Sequence, residues 1–323
     1  MGRFDYIIEK DTVALEYWNK VLAAEGKVNK TDSVIDWCGK IIETVPDFPD
    51  VYARRGKLLS SLGQHPEAFF DLSKAIDLGA DDADVYYTRA QILVMRNRFD
   101  EAESDLNAAV EINPDHAEAF ADLGDLCIKK GNAKWCVECY DAAIKKGTKS
   151  YNPYFIRARL YMQEGKLKEA ASLLIEAQTL RPADGAAYYA RGNCLYEMGY
   201  LDAAVKEYDK AIFVDKTSPD PYYKMGCVHY DRGDYQGSIE AFTLLIDLIS
   251  DSETGYYSRG LSYLALEDFE RAVGDFEKAT AIYDGDGSAF YLLSQAYLGK
   301  GDTEKGKENL DKALALGFQP SGE

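Results

Sequence analysis

The sequence predicts an all-α protein made by repeating one helix–turn–helix unit, and three observations carry that expectation. A 34-residue frame, clearest in GAAYYARGNCLYEMGYLDAAVKEYDKAIFVDKTS at 185–218, slides along the chain without insertion. Its starts fall at Pro49, Ala83, Ala117, Tyr151, Gly185, Pro219, Glu253 and Gly287. Each frame reads as an amphipathic helix, a turn and a second amphipathic helix. Near column fifteen stand Gly63, Asn97, Gly131, Gly165, Gly199, Gly233 and Gly301, which accept the left-handed conformation that ends a helix. Glu267 alone departs from that rule.

The third observation is the placing of small residues. Column eight reads Gly56, Ala90, Gly124, Ala158, Gly192, Gly226, Gly260, Ser294, and column twenty Ala68, Ala102, Cys136, Ala170, Ala204, Ser238, Ala272, Gly306. The two columns are expected to face each other where the helices pass at close range. Column twenty-four, always Leu, Tyr or Phe, supplies the bulky side chains between them, and column twenty-seven is alanine except at Leu245.

Column four is aromatic in every frame: Tyr52, Tyr86, Phe120, Tyr154, Tyr188, Tyr222, Tyr256 and Phe290. With the small columns and the period, this pattern resembles the tetratricopeptide repeat. The resemblance covers residues 49–320, as units 49–82, 83–116, 117–150, 151–184, 185–218, 219–252, 253–286 and 287–320, followed by a tail at 321–323. Proline at column thirty-two survives only as Pro114 and Pro182. The resemblance implies a right-handed superhelical solenoid with a concave groove. It further implies an adaptor or scaffold that binds a peptide segment of a partner protein.

A solenoid grows by adding units, so the length is compatible with one continuous domain. The net charge of −18 argues against nucleic acid and anionic membrane surfaces as partners. No stretch has the apolar length of a membrane span, and MGRFDYIIEKD lacks the basic start and apolar run of a signal peptide, so a cytoplasmic location is expected. Six scattered cysteines read as reduced packing residues.

Residues 1–48 extend the frame backwards, with Trp18 in column four, Ile41 in column twenty-seven and Pro46 in column thirty-two. A degenerate capping unit is expected, its helices held apart by Leu22 and Val34 where small residues stand elsewhere. Phe4, Tyr6, Ile7 and Ile8 either lengthen its first helix or fold over its exposed end. In the next three units the first turns carry Asp50, Asp84 and Glu118, acids that complement the helix dipole. A sharper reading joins Glu118 to Asp122 and Asp125 as an acidic groove patch for a lysine- or arginine-bearing segment.

Cys136 and Cys139 form C-x-x-C with Cys127 on the partner helix. No second spaced pair or nearby histidine completes a metal site, and Cys136 occupies the buried small column, so packing is expected and no metal or cofactor.

From Tyr151 onward column five is aromatic without a break: Phe155, Tyr189, Tyr223, Tyr257, Tyr291. This is a peptide-binding ladder or a packing column that favours tyrosine. Between the rungs Arg159, Asn193 and Lys224 could hold a peptide backbone or an acidic side chain. The family's clamp for a terminal carboxylate, lysine in column five with asparagine in column nine, is absent, since Tyr189 stands beside Asn193 and is followed by Lys224, Thr254 and Ser258.

Column seven is arginine at Arg55, Arg89, Arg157, Arg191 and Arg259. Column twenty-three answers with Asp71, Asp105, Glu207 and Asp275 in four of these units, which predicts an interhelical ion pair within each. Where Leu173 replaces the acid, Glu176 one turn on is the expected partner of Arg157. The last unit ends in LGFQPSGE without a solvating helix, which leaves self-association through that end, as a structural subunit of an assembly, as the alternative to an adaptor. His65, His116 and His229, the last expected in the core, show no nucleophile partner, and no nucleotide or zinc-protease motif occurs. No catalytic residue is assigned.

Overall fold

The computed structural model describes residues 11–24, 30–131 and 133–319, apart from the side chains of residues 133 and 134. Phe4, Tyr6, Ile7, Ile8 and the tail 321–323 lie outside the described residues. Among those described there are eighteen α-helices and no strand. The chain divides into two compact units, Met1–Pro153 and Tyr154–Glu323.

The first unit contains α1 Thr12–Ala23, α2 Thr31–Thr44, α3 Pro49–Ser61, α4 His65–Asp77, α5 Ala83–Met95, α6 Phe99–Ile112, α7 Ala117–Lys130 and α8 Ala133–Lys145. Helix α9, Tyr151–Gln163, crosses the division. The second unit continues with α10 Leu167–Leu180, α11 Gly185–Glu197, α12 Leu201–Val214, α13 Pro219–Asp231, α14 Tyr235–Leu248, α15 Glu253–Ala265, α16 Phe269–Ile282, α17 Gly287–Lys300 and α18 Thr303–Ala315. From α3 onward the odd-numbered helices begin where the 34-residue frame begins. Local chemistry explains these starts. Asp82, Asp184, Ser252 and Asp286 cap first helices by accepting from backbone amides, and Asp234, Asp268 and Asp302 do so for second helices.

Between the helices of a pair the chain turns through one left-handed residue. Gly63, Gly131, Gly165, Gly199, Gly233 and Gly301 have φ from 74° to 89°, and Asn97 has 58°. Glu267 adopts the same conformation at φ 57°. It therefore departs from the pattern in identity and not in geometry, because Glu267 N donates to Leu264 O (3.0 Å) and Asp268 N to Tyr263 O (2.9 Å) as the turn closes.

The close approach within each pair is set by columns eight and twenty-four. A methyl group added at Gly124, Gly192, Gly226 or Gly260 would stand 2.4, 2.5, 2.6 or 2.9 Å from the ring of Tyr140, Tyr208, Phe242 or Phe276 respectively, well inside van der Waals contact. Those four rings are buried. Where column eight is Ala90, Ala158 or Ser294, column twenty-four is Leu106, Leu174 or Leu310. Ring and methyl thus exchange volume across the contact in seven of the eight repeats; in the first, Gly56 faces Leu72, whose Cγ would lie 2.9 Å from an added methyl. Column twenty faces the column-eight carbonyl, as expected: Ser238 Oγ donates to Gly226 O (3.0 Å) and Cys136 Sγ to Gly124 O (3.5 Å).

The interhelical ion pairs form as the sequence suggests in four units. Arg55 binds Asp71 through two hydrogen bonds of 2.6 and 2.8 Å, Arg89 binds Asp105 through two of 2.7 Å, and Arg259 binds Asp275 through two of 2.8 Å. Arg191 lies 3.2 Å from Glu207, which also accepts from Gln178 and Lys210. All four acids are buried. Removing an arginine alone would strand a buried carboxylate, at a cost of about 3–5 kcal/mol. Arg157 corrects the pattern. It lies 3.6 Å from Glu164 in the turn, while Glu176, the partner expected from sequence, is exposed.

The N-terminal pair α1–α2 buries Val21, Val34, Cys38 and Ile41, and Trp18 meets Phe48 edge to face at 5.0 Å. It packs less extensively than the other pairs within the unit, in keeping with its larger side chains at the crossing.

Gly226→Ala is expected to destabilise the protein by about 1–3 kcal/mol, and Phe242→Leu in the same chain to recover part of that loss. A double-mutant cycle in urea measures it, and strictly additive effects would refute the volume exchange. Glu267→Gly should stabilise the protein by roughly 0.5–1 kcal/mol, read as a higher urea midpoint with an unchanged slope.

Candidate functional site

The tyrosines of column five in the second unit are half-buried. Three of them lean on the column-twenty-four ring of their own helix pair: Tyr189 on Tyr208 with centroids 6.0 Å apart, Tyr223 on Phe242 at 5.9 Å and Tyr257 on Phe276 at 6.1 Å. The core rings that demand glycine at column eight are therefore also the floor on which the ladder rests. Packing and exposure coexist in these side chains, so the two readings of the column are not exclusive.

Two cavities include tyrosines of this column in their walls. One, of about 710 Å³, is lined by Tyr189 with Arg181, Asp184, Asp215, Asp220 and Pro221. The other, of about 450 Å³, brings Tyr223 and Tyr257 together with Tyr196 and Tyr230. Those last two occupy column twelve, two helical turns beyond column five of the same helix. The sequence reading missed them, although a seven-residue spacing places both columns on one helix face. Tyr196 donates to Asp231, Tyr230 meets Tyr235 edge to face at 5.3 Å, and Tyr257 Oη lies 3.4 Å from Ser288 Oγ.

The other predicted residues are placed differently. Phe155 is half-buried and Arg159 exposed on α9. Asn193 accepts from Tyr208 Oη at 2.8 Å, which commits its side-chain oxygen to holding the core ring. The Lys224 ammonium lies 5.7 Å from the Tyr196 ring centroid. Tyr291 is stacked by Phe318 at 4.8 Å, so the final rung is covered by the chain itself. Cavity walls bring together Tyr223 and Tyr257, and Tyr189 belongs to a separate recess.

Profiles of the tetratricopeptide repeat match residues 83–116, 151–184, 223–287 and 257–320, and a further TPR repeat profile matches residues 192–231. The chain belongs to the tetratricopeptide repeat family. As a tetratricopeptide repeat protein it is a helical scaffold for protein interaction. Similar solved structures include a double mutant of MamA RS-1, with 20% identity and a TM-score of 0.50 over 53% of this chain and 96% of that one. Another is YrrB, described as a TPR protein with an unusual peptide-binding site, with 23% identity and a TM-score of 0.49 over 56% and 93%. A third, a tetratricopeptide repeat protein from Parabacteroides merdae ATCC 43184, has 21% identity and a TM-score of 0.45 over 73% and 94%. At these identities the likeness is one of fold. Among curated proteins none matches the chain. Among the described residues no helix is long and apolar enough to cross a membrane.

In the third tetratricopeptide repeat two acids of the expected patch, Glu118 and Asp125, accept framework hydrogen bonds. Glu118 accepts from Thr148 Oγ1 (2.9 Å), Lys149 N (2.7 Å) and Ser150 Oγ, tying α7 to the loop after α8. Asp125 accepts from Tyr140 Oη (2.6 Å) and Asn152 Nδ2 (2.8 Å). Asp122 lines a cavity of about 490 Å³ with Gln91, Met95, Asp125 and Lys129. Burial, reinforced by the charge of Asp125, pushes the Asp122 carboxyl up to about 6. Cys127, Cys136 and Cys139 are buried free thiols, as packing residues should be. His229 is half-buried and not a core residue. Its Nδ1 lies 2.7 Å from Asp234, the cap of α14.

Because the folded state holds the Asp122 proton more tightly than an unfolded carboxyl does, this group's favourable contribution is complete below about pH 4 and lost as pH rises through about 6. Asp122→Asn is expected to stabilise the protein by on the order of 2 kcal/mol at about pH 7.5 and by much less at about pH 4.5. Urea titrations at the two pH values check this, and an equal effect at both would contradict the assignment.

Proposed function

We propose that the second unit binds an extended segment of a partner protein along the face that carries Tyr189, Tyr223 and Tyr257, and that the chain acts as an adaptor. The observation that carries this reading is the assembly of four half-buried tyrosines around one open cavity by adjacent repeats. A column serving packing alone would bury its rings, as column twenty-four does. Tyrosine gives a large contact area for two rotatable bonds and is enriched where proteins bind one another. The column-twenty-four rings beneath hold the tyrosines in place, so little conformational freedom is left to lose on binding. Asn193 then acts by fixing Tyr208, and Lys224 and Arg159 border the path.

The test is a pull-down with the 323-residue chain and with a variant carrying Tyr189→Ala, Tyr223→Ala and Tyr257→Ala. Partner recovery is expected to fall by about tenfold or more, the range of losses seen when buried aromatic anchors are truncated. Undiminished recovery by a variant with unchanged helical signal and melting temperature would eliminate this face as the site.

A further inference from the structure

The larger tyrosine cluster has a definite electrostatic character. Its cavity wall combines the four tyrosines with three carboxylates, Asp231, Glu253 and Asp286, and among the described residues that line it there is no lysine, arginine or histidine. Aromatic faces carry the negative side of the ring quadrupole, and carboxylates add full negative charge, so both parts of the wall attract a cation. One wall already does so within the chain, where the Lys224 ammonium approaches the Tyr196 ring. The Tyr196 phenol keeps its proton, since its bond to Asp231 and burial hold it well above its usual range.

The carboxylates are also positioned. Asp231 is held by Tyr196, Asp286 accepts from Ser288 N (2.9 Å) and Ser288 Oγ, and Glu253 accepts from Thr254 Oγ1 at 3.2 Å. A carboxylate has sites for about four donors, more than these contacts use. The cavity volume of about 450 Å³ falls within the range of sites that enclose small ligands, which is room for a long side chain and part of its backbone. The chain's net charge of −18 adds attraction at longer range.

We infer that this cavity takes the cationic side chain of an arginine or lysine in the extended partner segment, between the rings of Tyr223 and Tyr257 and paired with Asp231 and Glu253. The inference rests on the binding face proposed above and adds the sign of the ligand's charge. It reverses the acidic ligand that Arg159 and Lys224 suggest from sequence. Those two residues stand outside the cavity lining.

A random dodecapeptide phage library selected on the 323-residue chain, and counter-selected on the Tyr223→Ala/Tyr257→Ala variant, reads that sign directly. Enriched peptides are expected to carry arginine or lysine. Synthetic copies should lose about tenfold or more in affinity for an Asp231→Asn/Glu253→Gln variant of unchanged melting temperature, and weaken as sodium chloride rises from about 50 to about 500 mM. Enrichment of acidic or uncharged peptides that still need the tyrosines would overturn the charge assignment and leave the binding face standing. Basic peptides indifferent to the Asp231→Asn/Glu253→Gln change would overturn the assignment as well. No enrichment over the counter-selected variant would overturn both readings.

Discussion

The contact on which the structure depends is the one between column eight of a first helix and column twenty-four of the second. At Gly226 and Phe242 the helices come so close that a single methyl group has no space. Close-packed interiors tolerate little change in volume, so the two positions are coupled: a ring always stands opposite glycine, whereas leucine stands opposite alanine, serine or, at Gly56 and Leu72, glycine. Repetition of that contact keeps successive helices at a fixed spacing. The pairing of Ser238 with the Gly226 carbonyl shows column twenty closing the same crossing from the other side.

The surface inherits its properties from this crossing. Phe242 and Phe276 are core residues, yet Tyr223 and Tyr257 rest on them and are aimed by them. Tyr208 combines the two roles, because its ring fills the space over Gly192 while its hydroxyl holds Asn193. The buried arginine–carboxylate pairs fix the same helices from another face, as at Arg259 and Asp275, with hydrogen bonds good enough to offset desolvation. The proposed binding face is therefore the outer layer of a core whose geometry is set by glycine.

Legibility in the sequence followed the distance over which each feature is specified. Helix starts, turns and the columns of the crossing are encoded within one frame, and eight copies of the frame make them plain. The arginine–acid pairs were legible for the same reason, and failed only at Arg157, where the frame's own acid is missing. The cavity of Tyr196, Tyr223, Tyr230 and Tyr257 was half legible. It is built from column five and column twelve of neighbouring repeats, and a reading confined to one column sees one side of it. For the acidic patch the sequence shows the charge and the structure shows what each acid touches. Glu118 ties α7 to the loop after α8, Asp125 joins Tyr140 to Asn152 of the next repeat, and Asp122 has a carboxyl whose charge is opposed by burial and by Asp125.

The sequence alone determined the period, the helical class and the helix boundaries, because capping, turn formation and close packing are short-range effects repeated at constant spacing. The tertiary structure decided which tyrosines share a cavity, which acids face it and which are consumed by the framework. Those outcomes depend on side chains from different repeats meeting in space, and on burial, which no single frame of residues specifies.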